Sequence, residues 1–269
     1  MGIQKVRRFG EREIRLLFAL EQEKSAGFTF AQAKKILGTS DASVKNVLKR
    51  LKKKRRIIPL QKGIYLFAPL KSGEEGLWTE NAYKIVPMIV GSKDYYVGFA
   101  AAMNYWGMTE QLPYVIRVAM TRQKKPISAV QSKFVFVRKR KLGDYQCVSF
   151  GMAGVHFSSI EQTILDGLSL PGYCLGIEGV ARAIHFTKDN ISWGKLISMA
   201  KRGKSIIQRR LGFLLELLKI KHSRPLEAKF KGFSWLDPAG QKKEFEYSTK
   251  WGLKVNANRE DLLEFQRGY

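Results

Sequence analysis

Residues 29–67 decide the fold, and they read TFAQAKKILGTSDASVKNVLKRLKKKRRIIPLQKGIYLF. The first part predicts a short helix with one apolar side, formed by Phe30, Ala33, Ile36 and Leu37. Gly38 tolerates the positive φ that ends many helices. Ser40 or Asp41 then caps a second helix, because a side-chain oxygen there accepts bonds from free first-turn amides. The spacing i, i+3, i+4 and i+7 predicts a buried stripe on this second helix, made of Val44, Val47, Leu48 and Leu51.

The opposite face of the second helix has a different character. At about 100° per residue, it carries small, amide and basic side chains: Ala42, Asn46, Lys49 and Lys53 at its centre, with Ser43, Lys45 and Arg50 beside them. Two β-prone runs, 57–60 and 64–67, then flank a turn that contains Gly63, which predicts a hairpin. This order of elements is typical of a winged helix-turn-helix, whose second motif helix enters the major groove of DNA.

The charge of this stretch favours a polyanionic partner. Ten Lys or Arg residues and no acidic residue lie between Asp41 and Glu74, whereas a surface that is only soluble mixes both signs. The alternative interpretation is a solvated basic run on an ordinary helical domain. The placement of the charge, as well as its amount, favours nucleic-acid binding.

Individual DNA contacts follow from side-chain chemistry. Amide and guanidinium groups read adenine and guanine edges, so we expect Asn46 and Arg50 to contact bases. Phosphate contacts position a protein without reading the sequence. For that role we expect the other polar and basic residues of the helix, the run after it and the turn: Ser43, Lys45, Lys49, Lys53, Arg55, Arg56 and Lys62.

The whole chain of 269 residues is basic, with a formal net charge of +25 and an apolar content of 45%. Residues 1–73 carry 18 basic and 5 acidic side chains, a net charge of +13, and the other 196 residues carry 30 and 18, a net charge of +12. Such a field attracts polyanions and makes binding steeply salt-dependent. We expect two domains, residues 1–73 and 76–269, on either side of a Pro- and Gly-containing linker at 69–76.

Two features predict a cytoplasmic protein that does not contact a membrane. No apolar leader follows Met1, and no stretch approaches the roughly 20 apolar residues that a membrane helix needs. The two cysteines are Cys147 and Cys174, and a pair in an unexported chain is more often reduced and buried than bonded.

The remaining pattern predicts an α+β fold. A first helix is expected at 11–24, with Ile14, Leu17 and Phe18 on its inner face. In the second domain, helical segments are expected at 81–90 and 99–106, strands at 95–97, 114–120, 133–137, 145–150 and 154–157, helices at about 159–169, 176–186, 192–202 and 205–219, and a last strand at 253–255. Strands followed by helices, without strict alternation, indicate a larger mixed α+β domain after the winged helix-turn-helix.

Two further basic clusters lie in the second domain, at 122–125 and 138–141, and no acidic residue occurs between Glu110 and Asp144. One interpretation is a second nucleic-acid surface. The other is a pair of basic loops that keep strand edges soluble. The sequence leaves both interpretations open.

Sequence signatures of catalysis are missing. The three histidines have no Cys or Glu at metal-ligand spacing, and there is no phosphate loop or nucleophile elbow. Glu161 and Asp166 are five residues apart on a predicted helix, and both Ser158 and Ser159 fit the pattern of a helix-capping box. Capping is therefore the favoured role, and we expect no enzymatic activity, no metal and no cofactor.

Four blocks of sequence, in order, resemble the AbiEi-like antitoxins of type IV toxin–antitoxin (abortive infection) systems. They are the helix-turn-helix with Gly63-Ile64-Tyr65, YVGFAAAMNYWGMT at 96–109, SIEQTILD at 159–166 and RRLGFLLE at 209–216. The likeness covers about residues 10–219, and Gln162 stands where the family usually has Arg. The ordered set is more specific than any single block.

The resemblance implies that residues 1–70 bind double-stranded DNA at the promoter of the chain's own operon and repress it. It also implies that the C-terminal domain is an antitoxin domain, countering a nucleotidyltransferase-like toxin, and it gives no catalytic residue to carry over. Two alternatives stay open: a winged-helix regulator or RNA-binding protein without a toxin partner, and a nuclease whose acidic residues form no recognisable motif. For Arg209, Arg210 and Glu216, bracing ion pairs and a binding surface are both open.

Overall fold

The computed structural model of the chain describes residues 8–24, 26–70, 81–150, 153–221, 226 and 230–266. Contacts divide the chain into two compact units, one of 1–93 with 129–131 and 147–155, the other of 94–128, 132–146 and 156–269. Residues 71–76 of the expected linker lie outside the described residues. The fold is α+β, which confirms the predicted class.

Three helices and a small antiparallel sheet open the first unit. The helices are α1 (Glu11–Gln22), α2 (Phe30–Leu37) and α3 (Asp41–Lys53), and the strands are β1 (Gly27–Thr29), β2 (Ile57–Gln61) and β3 (Ile64–Phe67). The strand order is β1-β3-β2, and β3 is antiparallel to both neighbours. One turn of 3₁₀ helix (Ala82–Ile85) and α4 (Val86–Val90) follow. The three helices and the hairpin confirm the predicted elements, whereas the three-residue β1 is too short to show a periodic pattern.

The core of this unit explains why α3 forms as predicted and why α1 does not present the predicted face. All four residues of the predicted α3 stripe are buried. On α1, Leu17 is buried, but Ile14 is 41% and Phe18 63% exposed, so two of the three predicted inner residues are wrong. The buried stripe is instead Glu13, Leu16, Leu17 and Leu20. Because Glu13 is charged, a search for apolar residues at helical spacing does not detect this stripe.

Glu13 is buried because its charge is matched and its hydrogen bonds are made. One of its carboxylate oxygens accepts the Gly10 amide at 3.0 Å, which caps α1, and forms an ion pair with Lys54 Nζ. Lys54 also donates to the Arg8 carbonyl at 2.7 Å and lies 4.8 Å from the centre of the Phe9 ring. Lys54 therefore ties the end of α3 to the start of α1 and does not join the exposed basic face.

We expect Lys54→Ala to lower the free energy of unfolding by about 2 kcal/mol or more, because it leaves the shielded Glu13 carboxylate without its partner. The matched control is Lys53→Ala, which removes an exposed charge and should stay within about 0.5 kcal/mol of the parent. In Glu13→Gln/Lys54→Ala both charges are gone, so the loss should be smaller than the sum of the losses of Glu13→Gln and Lys54→Ala. Denaturant unfolding in a double-mutant cycle measures this coupling. Strictly additive losses would contradict the pairing.

The rest of the chain forms a mixed sheet followed by helices and a second, small sheet. Its elements are β4 (Tyr95–Gly98), α5 (Phe99–Tyr105), β5 (Val115–Met120), β6 (Ile127–Ala129), β7 (Ser132–Arg138), β8 (Tyr145–Phe150), β9 (Ala153–Ser158), α6 (Ile160–Ser169), α7 (Gly176–Thr187), α8 (Trp193–Arg202), α9 (Ser205–Leu217), β10 (Ser234–Trp235), β11 (Glu246–Ser248), β12 (Leu253–Val255) and α10 (Arg259–Leu263). In the second unit, β7, β5, β4 and β9 are consecutive strands of one sheet. β5 runs parallel to β7 and antiparallel to β4. The short elements β6, β10, β11 and α10 are the ones that sequence periodicity does not predict.

The arginine pair in the first half of α9 braces the second unit through backbone carbonyls. Arg209 donates to the Trp251 carbonyl at 2.8 Å and to the Gly252 carbonyl. Arg210 donates to Leu168 at the end of α6 at 2.6 Å and to Trp235 of β10 at 3.0 Å. These bonds fasten the small sheet (β10, β11 and β12) to the helices. Of the two roles left open by the sequence, bracing is the one observed, with carbonyls as the partners of both arginines.

Two expectations, about membrane-spanning segments and about the burial of the cysteines, can be compared with the structure. In the described parts of the chain, no helix combines the length and the apolar character that spanning a membrane requires. The cysteines are free, and Cys174 is buried, but Cys147 is exposed, so the expected burial is wrong for Cys147. Burial raises the pKa of the Cys174 thiol, which keeps it protonated and unreactive.

Candidate nucleic-acid interface

The turn before α3 sets the exposure of its basic face. Gly38 ends α2 with φ 60, in the left-handed region, and its amide donates to Lys34 at 2.9 Å. Ser40 caps α3 by accepting the Ser43 amide at 3.4 Å, so the first of the two predicted capping residues is the one used. With its apolar stripe in the core, α3 exposes the opposite face, and five of the predicted contact residues are exposed on it: Lys45, Asn46, Lys49, Arg50 and Lys53.

Ser43 lies on the flank of α3 and is half-buried. Its hydroxyl accepts a hydrogen bond of 2.6 Å from Arg12 Nη1, so the serine is held by α1. Arg12 is exposed and brings a guanidinium group beside the first turn of α3. Sequence reasoning missed Arg12 because the contact joins residues 31 positions apart, and no local pattern predicts it.

The one acidic residue at the start of α3 is neutralised. Asp41 forms an ion pair of 2.7 Å with Lys34, and the hydrogen bond and charge of Lys34 lower the pKa of the Asp41 carboxyl. A carboxylate in the first turn also favours the helix, since the amino end of a helix carries partial positive charge. Asp41 therefore stabilises α3 without leaving an unmatched negative charge beside the basic face.

After the end of α3, the side chain of Arg55 is exposed and that of Arg56 is buried. Arg55 has φ 57, and the amides of Arg55 and Arg56 donate to Lys52 and Leu51, both at 3.0 Å, which are the two bonds of a Schellman motif. Arg55 stays exposed. Arg56 is only 7% exposed, and its Nη1 donates to the Pro69 carbonyl at 3.3 Å. The structure therefore removes Arg56 from the predicted phosphate contacts, because the left-handed residue reverses the chain and buries the next side chain.

We expect Arg55→Gly to stabilise the fold by about 1 kcal/mol, because glycine adopts positive φ without the cost that a Cβ imposes. The same change removes an exposed charge and should weaken binding to any duplex. The matched control is Arg55→Ala, which removes the charge but keeps the strained backbone, so it should weaken binding equally without raising the melting temperature. Thermal unfolding and duplex titration of both variants measure the two effects. Equal melting temperatures for the two variants would contradict the backbone argument.

The hairpin between β2 and β3 presents Lys62 at its tip. Lys62 is exposed, and Gly63 turns the chain with φ 74. The Gly63 carbonyl accepts the Phe30 amide at 2.8 Å, which fixes the tip to the start of α2. Pro59 is exposed on β2, the edge strand of the sheet, where the missing amide costs no ladder bond. The tip that carries Lys62 is thus fixed to the start of α2, and Lys62 has no acidic neighbour in sequence.

The carboxylates considered for catalysis belong to separate networks. Glu161 accepts the Ser192 amide at 3.0 Å and lies 3.1 Å from Lys195 Nζ. Asp166 accepts Tyr96 Oη at 2.8 Å and forms an ion pair with Lys139. The capping residue of α6 is Ser159, whose hydroxyl accepts the amide of residue 162. The predicted cap is therefore confirmed at the second of the two serines. Within the described ranges, no three His, Cys, Asp or Glu side chains gather as metal ligands.

Comparison with known proteins adds a fold and no function. No protein-family model matches the chain, and no curated protein matches its sequence. Among solved structures, the Rv2827c protein of Mycobacterium tuberculosis is similar over 97% of this chain and 96% of that chain, with a TM-score of 0.67 and 13% sequence identity. At this identity the likeness concerns the fold alone.

Proposed function

We propose that the chain is a non-enzymatic, DNA-binding transcriptional regulator in which residues 8–70 act as a winged helix-turn-helix. The observation that carries the proposal is the exposed face of α3, where four basic residues and Asn46 lie opposite a four-residue core stripe. A helix of 13 residues is about 20 Å long, and the major groove, about 12 Å wide, admits an α-helix. The adjacent hairpin would serve as the wing.

Within this proposal, each part of the surface has a role set by its chemistry. Asn46 and Arg50 contact base edges, because their planar groups form paired hydrogen bonds. Arg12, through its place beside Ser43, joins the residues that contact phosphates, and Arg56 leaves that set. The phosphate contacts are then Arg12, Ser43, Lys45, Lys49, Lys53, Arg55 and Lys62.

The test is titration of the full chain with a labelled duplex from its own upstream region and with a scrambled duplex of equal length. We expect binding of the upstream duplex to be at least about 1,000-fold tighter, the lower end of the range for specific binders. We also expect the logarithm of the binding constant to fall linearly with the logarithm of salt concentration. Equal affinity for the two duplexes, or preference for a structured RNA competitor, would overturn the proposal.

The four-block resemblance supports a wider role as an autorepressor and antitoxin of a type IV toxin–antitoxin system. The partner in that role is a nucleotidyltransferase-like toxin encoded beside the chain, countered through residues 76–269. Co-expression with the neighbouring gene product, scored by colony growth, tests this part separately. We expect rescue both by the parent and by Arg50→Ala, because the base contact serves repression only. An unrelated neighbour, or no rescue by the parent, would overturn the antitoxin role and leave the DNA-binding test standing.

A further inference from the structure

The parallel pairing of β5 and β7 brings together the two basic clusters of the second unit. The register runs in parallel from Val115 beside Lys133 to Met120 beside Arg138. Both strands therefore end at the same edge of the sheet, and the segments that follow them, 121–126 and 139–144, start side by side. The sequence leaves the two clusters 13 or more residues apart, so their proximity is a product of the fold.

A concave site lies at this edge. It has a volume of 520 Å³ and is lined by Thr121, Arg138, Lys139 and Arg140, within the range of about 300–1,000 Å³ that small-ligand sites occupy. Thr121, Arg138 and Arg140 are exposed. We call this site the basic cleft. It combines a hydroxyl, two guanidinium groups and an ammonium group, all of which can donate hydrogen bonds to an anion.

The ammonium group of Lys139, which lines the basic cleft, is held by hydrogen bonds to a buried network. Lys139 Nζ forms an ion pair with Asp166 and donates to Tyr96 Oη at 2.6 Å. Tyr96 is fully buried and donates to Asp166 at 2.8 Å, and Gln162 donates to the other oxygen of Asp166 at 2.7 Å. Burial, and then the charge of Asp166, raises the pKa of Tyr96, so the phenol stays protonated. Lys139 is thereby fixed in position before any ligand arrives.

The acidic groups near the basic cleft do not offset the charges of its two guanidinium groups. Asp166 offsets the charge of Lys139, and Asp144 lies 2.7 Å from Lys195. No acidic residue occurs from 111 to 143, so Arg138 and Arg140 have no carboxylate in the segments that form the cleft. Protection of a strand edge does not explain the charges either, because β5 is paired on both sides, by β4 and β7, and has no free edge to protect.

We infer that the basic cleft binds the phosphate groups of a nucleotide. Guanidinium groups match phosphate geometry through paired hydrogen bonds and keep their charge at any physiological pH, and Lys139 adds an ammonium hydrogen-bond donor between them in sequence. The volume fits a few phosphates and a sugar, and it is too small for a duplex. Two sources share this chemistry: a free nucleoside triphosphate, and the end or backbone of a single-stranded nucleic acid.

The experiment measures binding of four probes to the full chain by calorimetry: ATP, tripolyphosphate, adenosine and a single-stranded octanucleotide. The test variant is Arg138→Ala/Arg140→Ala. The matched control is Lys133→Ala/Lys201→Ala, which removes the same charge from exposed positions outside the cleft; Lys133 is at the opposite end of β7, about 17 Å away along the strand. Circular dichroism of both variants verifies that each is folded, which is expected because all four side chains are exposed.

We expect saturable 1:1 binding of at least one phosphate-bearing probe and no binding of adenosine. The cleft variant should weaken that binding by 10-fold or more, and the control by less than threefold. ATP binding that exceeds octanucleotide binding identifies the free nucleotide as the source, and the reverse order identifies the strand. Equal losses in the two variants would mean that only the general field attracts the probes, and this outcome overturns the inference. Absence of saturable binding for all phosphate probes overturns it as well.

Discussion

Arg50→Ala is expected to weaken binding of the full chain to its own upstream duplex by about 5- to 150-fold, which corresponds to about 1–3 kcal/mol for a lost base contact. Arg50 is exposed on α3, and its predicted partner is a guanine edge. The substitution should weaken mainly the binding of the upstream duplex, because a random duplex does not form the paired hydrogen bonds with Arg50. The gap between upstream and scrambled duplexes should therefore narrow.

Lys52→Ala is the matched control for Arg50→Ala. Lys52 is exposed on the same helix and carries the same charge, but at 100° per residue it lies about 160° around the helix from Arg50. Loss of a general phosphate or field contribution should weaken both duplexes alike and reduce the salt slope by about one at most. Both variants lose one positive charge from α3. A difference between Arg50→Ala and Lys52→Ala therefore reports the position of the lost charge on the helix.

Fluorescence anisotropy with the two duplexes, at three salt concentrations, measures all of these quantities. Melting temperatures of both variants should equal that of the parent, since neither side chain is buried. If Arg50→Ala loses the same factor on upstream and scrambled duplexes, Arg50 only positions the protein. If Lys52→Ala loses as much specific binding as Arg50→Ala, the assignment of the outward face of α3 as the reading surface is wrong.

Much of the helical region could be predicted because its signals are local. The cap at Ser40, the four-residue stripe and the left-handed Gly38 all lie within α3 or just before it, and each acts through neighbours in sequence. The same logic fails at Arg55, where an arginine adopts the backbone that glycine usually takes. A charged residue at that position gives no warning that the chain reverses there, so the burial of Arg56 could not be anticipated.

Long-range contacts account for most of what the sequence did not reveal about the site. Arg12 reaches Ser43 across 31 positions, and Lys54 reaches Glu13 across 41. A buried carboxylate such as Glu13 resembles a surface residue in sequence. Its burial is stable only because a distant partner, Lys54, offsets the cost of removing its charge from water. The basic cleft has the same origin, since parallel pairing and register of β5 and β7 depend on the whole sheet. In each case the sequence shows the chemistry of the side chains, but it does not show which of them lie close together in the fold.

Gly212→Val is expected to lower the free energy of unfolding of the second unit by about 3 kcal/mol or more, because it overfills a close-packed site. Gly212 lies within α9, where glycine is otherwise the poorer helix former by about 1 kcal/mol. A Cβ at this position would overlap the six-membered ring of Trp251. Trp251 is 4% exposed and cannot move aside freely, since its Nε1 donates to Glu216 at 2.8 Å and its carbonyl accepts Arg209.

The cause of the loss can be isolated by a second substitution that makes room. Trp251→Leu should destabilise the unit by itself, because it removes a large buried ring. In the double variant the valine occupies part of the vacated space, so the combined loss should be smaller than the sum of the single losses by at least about 1 kcal/mol. Denaturant unfolding of the four proteins, followed by tryptophan-independent circular dichroism, provides the cycle. Additive losses would mean that Gly212 is not required by its contact with Trp251, and a stable Gly212→Val variant would show that α9 can shift away from the small sheet.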